Sequence, residues 1–115
     1  MPPVNASSMR DGEKLQVPKK PTTRSYFILF GKGNYTIRPA AGHRHLVVTE
    51  GVASVKDLSR SPGPKTRILE VNTFFRLKRM KKFKIDVSVP ARITFSKSGP
   101  GGTGPSGSST EVDLD

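Results

Sequence analysis

From Leu69 to Phe95 the chain alternates, and that alternation restricts its fold more than any other feature. The odd positions read Leu69, Val71, Thr73, Phe75 and Leu77, then Arg79 and Lys81, then Phe83, Ile85, Val87, Val89, Ala91, Ile93 and Phe95. The even positions read Glu70, Asn72, Phe74, Arg76, Lys78, Met80, Lys82, Lys84, Asp86 and Ser88. Successive side chains on a strand point to opposite faces, so the pattern makes one apolar face and one wet, basic face. A helix does not sort the same residues. The helical neighbours of Leu77 at i+3, i+4 and i+7 are Met80, Lys81 and Lys84, which mixes both sets on one side. The helix propensity of Lys, Arg and Met pulls the other way, but the periodicity decides for strands.

Parity also suggests a connection. Phe75 and Leu77 have to share a face with Phe83 and Ile85. A three-residue loop at Arg79-Met80-Lys81 achieves this by pairing Leu77 with Phe83 and Phe75 with Ile85. A two-residue loop at Met80-Lys81 would oppose Leu77 with Lys84 and spoil both faces. The tip has no Gly or Asn for a left-handed position, so one long bent strand is the alternative. Pro90, lacking an amide hydrogen, marks an edge, a bulge or a strand end.

Two earlier stretches read as hairpins. In "SYFILFGKGNYTIRP", Gly31-Lys32-Gly33 forms the loop, and Phe27, Leu29, Tyr35 and Ile37 share the expected core face. In "HLVVTEGVASV", Glu50-Gly51 supplies a two-residue turn that opposes Val48 with Ala53 and Leu46 with Val55. "RSPGPK" breaks the chain after it, and Asp57-Leu58-Ser59 is a candidate helical turn.

These elements predict an all-β domain over 24–97, a small antiparallel barrel or sandwich of about five to seven short strands built from successive hairpins. Residues 1–23 read as a flexible basic arm interrupted by Pro2, Pro3, Pro18 and Pro21. Residues 98–115 read as a disordered Gly/Ser/Pro-rich tail with the acidic end Glu111, Asp113 and Asp115. The hydrophobic content of 33% gives a thin core, which a homodimer or higher homo-oligomer would thicken.

Charge points to the partner. Twenty Lys and Arg against nine Asp and Glu give a net charge of +11. Residues 65–97 hold ten of the bases against only Glu70 and Asp86. Such a basic face is the electrostatic footprint of a nucleic-acid binder, RNA or DNA. Arg76, Lys78, Arg79, Lys81, Lys82 and Lys84 are the expected phosphate contacts, with Arg67 and Arg92 in support and Phe74 placed to stack on a base. The competing readings are a solvated edge that blocks aggregation, a peripheral contact with an acidic membrane surface, and an interaction protein acting through the acidic tail. A self-associating coat, matrix or scaffold subunit is a further alternative. The basic, β-rich character with low-complexity ends would suit a virus-encoded or ribonucleoprotein component.

Other chemistry is thin. With no cysteine, thiolate zinc sites and Cys nucleophiles are excluded. His43 and His45 read as two exposed histidines near a loop rather than a metal site, and no cofactor is expected. Gly31-Lys32-Gly33 lacks the spacing of a phosphate loop, and no Ser/His/Asp order or carboxylate pair suggests an enzyme. The absence of a secretory h-region or an apolar span predicts an intracellular protein without a transmembrane segment, cytoplasmic or nuclear. Lys78-Arg79-Met80-Lys81 matches a short nuclear-import pattern, weakly.

Overall fold

The computed structural model describes residues 4–5, 24–40, 42–57, 66–77, 82–97 and 111–113. These form one all-β sheet. Six antiparallel strands make its body: β2 (Ser25–Phe30), β3 (Gly33–Ile37), β4 (His45–Asp57), β5 (Thr66–Leu69), β6 (Phe74–Arg76) and β7 (Phe83–Ser96). β1 (Val4–Asn5) adds in parallel to β2, and β8 (Glu111–Asp113) adds in parallel to β6. The arm and the tail, expected to be disordered, thus each lay a short strand on an edge of the sheet. The sheet is open rather than closed into a barrel.

The two long strands organise it. β7 pairs along its length with β4 on one side. On its other side, β2 takes the half from Ala91 to Ser96 and β3 takes the half from Phe83 to Val87. β4 in turn carries β6 against His45–Val47 and β5 against Ala53–Lys56. The sheet is therefore four ribbons wide, with a line of irregularity across its middle. That line runs through Gly31-Lys32, Ser88–Pro90, Thr49–Val52 and the turn at Glu70–Thr73.

Three of the expected connections are corrected here. Gly31-Lys32-Gly33 does not fold β2 back on β3, because both pair with β7 instead. The core side of β2 is Tyr26, Ile28 and Phe30, not Phe27 and Leu29. Glu50-Gly51 is not a hairpin turn but a bulge inside one 13-residue strand, with Gly51 at φ +93°. β6 and β7 are not neighbours, since β4 lies between them, so Leu77 does not pair with Phe83. Residues 78–81, including the expected loop tip, lie outside the described residues, as do Leu58 and Ser59 of the candidate helical turn.

The physical reason is common to all three. A one-residue bulge reverses face parity just as a two-residue turn does. Leu46, Val48, Ala53 and Val55 are all buried, as expected, but on one continuous strand. Shared faces do not identify neighbours. Pro90 sits in the irregular stretch of β7, where a missing donor costs no ladder bond.

One core cluster gathers both halves of the sheet. Tyr26, Ile28, Phe30, Leu46, Val48, Phe75, Leu77, Ile93 and Phe95 come from one half, and Tyr35, Ile37, Ala53, Val55, Leu69, Phe83, Ile85 and Val87 from the other. Of the odd set, Leu69, Phe75, Leu77, Phe83, Ile85, Val87, Ala91, Ile93 and Phe95 are buried, Thr73 is half-buried, Val71 and Val89 stand exposed on the irregular line, and Arg79 and Lys81 lie outside the described residues. Two buried phenols are satisfied: the Tyr35 hydroxyl donates to the Gly31 carbonyl at 2.7 Å, and the Tyr26 oxygen accepts from the Ala40 amide at 3.0 Å.

Candidate nucleic-acid interface

Because the odd residues of β7 other than Val89 are buried, its even residues project from the opposite, outward face. Asp86, Ser88 and Arg92 are exposed there, and Lys84, Thr94 and Ser96 are partly so. The same logic places Phe74 and Arg76 outward on β6, flanking buried Phe75, with both partly exposed. On β2, the inward turn of Tyr26 and Ile28 leaves Phe27 outward and partly exposed.

Register lines these up. Phe27 opposes Thr94, Thr94 opposes Val47, and Val47 opposes Phe74, a single row across β2, β7, β4 and β6. Val47 is 8% exposed yet stands outside the core cluster. The adjacent row runs Ser25, Ser96, His45 and Arg76. Arg92, one step along β7 on the same face, holds its guanidinium 4.2 Å from the centre of the Phe27 ring. A cation over an aromatic face at that range is attracted by the ring quadrupole.

In the other half of the sheet the outward face carries lysines. Lys84 opposes Thr36 on β3 and Lys56 on β4. Two like charges directly opposed across a ladder repel, an arrangement that a bound anion relieves. Asn34, Ser54, Thr66 and Asp86 join Lys56 and Lys84 around a small depression of about 120 Å³. Lys82, just before β7, is exposed.

Of the residues singled out from sequence, Phe74, Arg76, Lys84 and Arg92 lie on one face of one sheet, with Lys82 exposed at its end. Arg67 does not join them. It pairs with buried Val55, which puts it on the core side, and its guanidinium caps the Phe75 ring at 5.7 Å. Lys78, Arg79 and Lys81 lie outside the described residues. Sequence reasoning missed Phe27 and Lys56. Phe27 was turned inward by the supposed hairpin, although Tyr26, Ile28 and Phe30 formed an equally apolar alternate set.

The histidines depart from expectation. His43 is fully buried, edge-on to Tyr26 with ring centres 5.0 Å apart, and only His45 is partly exposed. Among the described residues no three His, Asp or Glu side chains gather as a metal site would require. Leu29, Phe30, Gly31, Glu50, Pro90, Ala91 and Arg92 line a shallow cleft of about 350 Å³ along the irregular line. No helix of the described residues is long and apolar enough to cross a membrane. No family model, curated protein or solved structure matches this chain.

Proposed function

We propose that this protein is a non-enzymatic nucleic-acid binder that works largely independently of sequence through the outward face of its sheet. The observation that carries this reading is the co-location of Phe74, Arg76, Lys84 and Arg92 on that face, joined by Phe27 and Lys56. Lysines and arginines on a face neutralise phosphates and release counterions, which supplies affinity without sequence information. Aromatic rings beside them give the bases a surface to stack on.

Filter binding across a salt series tests it. Affinity should fall steeply and linearly on a log–log plot. Replacing Lys82 and Lys84 by Glu should weaken binding strongly, whereas Arg67→Gln, on the opposite side of the sheet, should change it little. A flat salt response, or equal binding by the Lys82/Lys84 variant, refutes the proposal.

Self-association is a second reading, favoured by one observation. Among the described residues no strand pairs with the outer edge of β3 or β5, and Ile68 on β5 is 68% exposed. Open edges are templates for pairing between chains. Sedimentation without nucleic acid separates the two readings: a compact monomer that binds nucleic acid tightly leaves no role for assembly.

A further inference from the structure

The geometry points to an extended single strand as the nucleic acid bound, laid across the β-strands with its bases on Phe27–Arg92 and on Phe74; we infer this on top of the nucleic-acid reading, and it depends on that reading. Phe27 and Phe74 occupy the two ends of one register row, three inter-strand steps apart. At the usual strand spacing this separates them by about 14 Å. That is roughly four times the 3.4 Å base step of a stacked strand. A strand of about five nucleotides therefore spans both positions, and a base seated on either ring must turn its face to it, which a paired duplex, with its base faces stacked inside, forbids and an unpaired strand allows.

The two ends are built for stacking rather than wedging. Each ring is only partly exposed, so neither stands clear of the sheet as an intercalating wedge must. The guanidinium of Arg92 already lies 4.2 Å over the Phe27 ring. Its outer plane is itself a surface on which a base stacks. Between the two ends the row is filled by Thr94 and by Val47, which is 8% exposed. The middle of the track thus carries half-buried Thr94 and buried Val47, with an aromatic group at each end. The adjacent row brings Ser25, Ser96, His45 and Arg76 alongside, so polar and cationic groups follow the same direction across the sheet. A backbone running along that row would keep its bases over the aromatic row.

The test uses the full chain with fluorescently labelled single-stranded and duplex oligonucleotides of matched sequence, RNA and DNA, at one fixed salt concentration. Single strands should bind at least about ten-fold more tightly than duplexes, the scale of losing one stacked base. Phe27→Ala and Phe74→Ala should each lower single-strand affinity by about ten-fold while leaving duplex affinity unchanged, and Phe→Tyr at either position should restore it. Both rings lie off the core cluster, and circular dichroism of each variant checks that the sheet is retained. A 2-aminopurine in the single strand should be quenched on binding the native protein and less so on binding the Ala variants. Equal affinity for single strands and duplexes, with no effect of the Phe variants but a loss in Lys82/Lys84→Glu, overturns this inference and leaves nucleic-acid binding standing. No salt-dependent binding to any of the four oligonucleotides overturns both.

Discussion

The backbone of Gly51 rests directly on that of Pro90: a Cβ at position 51 would lie 2.3 Å from the Pro90 carbonyl oxygen and 2.6 Å from the Cα of Ala91. The two central strands thus touch at their shared irregularity, β4 contributing a residue with no side chain and β7 one with no amide hydrogen. Gly51 also has φ +93°, which an L side chain rarely adopts. Gly51→Ala should therefore destabilise the fold through both strain and clash, by roughly 2–4 kcal/mol. Urea unfolding would show it as a lower midpoint with an unchanged slope. A midpoint equal to the native one would mean that the two strands are not held this close.

Asn72 is the other backbone signal. It has φ +65° in the turn between β5 and β6, where its amide donates to the Val48 carbonyl at 2.8 Å and the Thr73 amide donates to the Glu70 carbonyl at 3.2 Å. Asn tolerates the left-handed region and Gly does so without cost, whereas β-branched residues do not. Asn72→Gly should leave stability within about 0.5 kcal/mol and Asn72→Val should lower it by about 1–2 kcal/mol. Thermal unfolding of the pair decides this, and equal melting of both variants contradicts it.

Much of the fold was legible because burial leaves a period of two in the sequence. Phe75, Leu77, Phe83, Ile85, Val87, Ala91, Ile93 and Phe95 are the inward face, and Phe74, Arg76, Lys84 and Arg92 the outward one, as alternation requires. Connectivity was not legible, because parity is blind to the difference between a turn and a bulge. Glu50-Gly51 reads as a two-residue turn, but a sequence does not say whether the chain reverses there or only kinks. β2 was misfaced for a related reason: Tyr26-Phe27-Ile28-Leu29-Phe30 is apolar on both faces, so alternation carries no information within it. The slip between β2 and β3, absorbed by the extra residue in β7 around Pro90, then moved Phe27 from the supposed core to the outward face. The fit of Val112 against the core was hidden by the composition of the segment that precedes it.

Alkaline stability should report the two buried phenols. Burial raises the titration of Tyr26 above the ordinary value of 10.0, partly opposed by the hydrogen bond with the Ala40 amide, and burial likewise raises that of Tyr35. A phenol that ionises later in the folded state than in the unfolded chain leaves stability intact below about pH 10. Stability is then lost as pH rises from there through the raised folded value, because the unfolded chain releases its protons first. Denaturant midpoints should accordingly hold steady to pH 9 and fall above about pH 10. Tyr26→Phe should cost about 1 kcal/mol at neutral pH, by leaving the Ala40 amide without its acceptor. The same variant should shallow the alkaline fall without abolishing it, since Tyr35 remains. An alkaline slope unchanged by Tyr26→Phe would assign the effect elsewhere.

The acidic end of the chain should act against binding. β8 runs parallel to β6 with Glu111 in register with Phe74, Val112 with Phe75 and Asp113 with Arg76, while Val112 packs against the core. The strand therefore occupies the edge beside the two residues of β6 assigned to the nucleic-acid face. Deleting residues 98–115 removes Glu111, Asp113 and Asp115 and no base, which takes the formal net charge from +11 to +14. It also uncovers the β6 edge. Affinity for nucleic acid should rise several-fold at low salt, and the gain should shrink as salt is added, because exposed charges are screened beyond about 10 Å at 0.1 M. The double variant Glu111→Gln/Asp113→Asn separates the two causes, since it keeps the backbone pairing of β8 and removes two charges. If charge dominates, it should reproduce most of the gain, whereas if coverage of the edge dominates, only the deletion should. The deletion should also cost a small amount of stability through exposure of Phe75 and loss of the Val112 contact, seen as a lower melting temperature. Unchanged affinity in both variants would show that the tail strand and the nucleic acid do not compete.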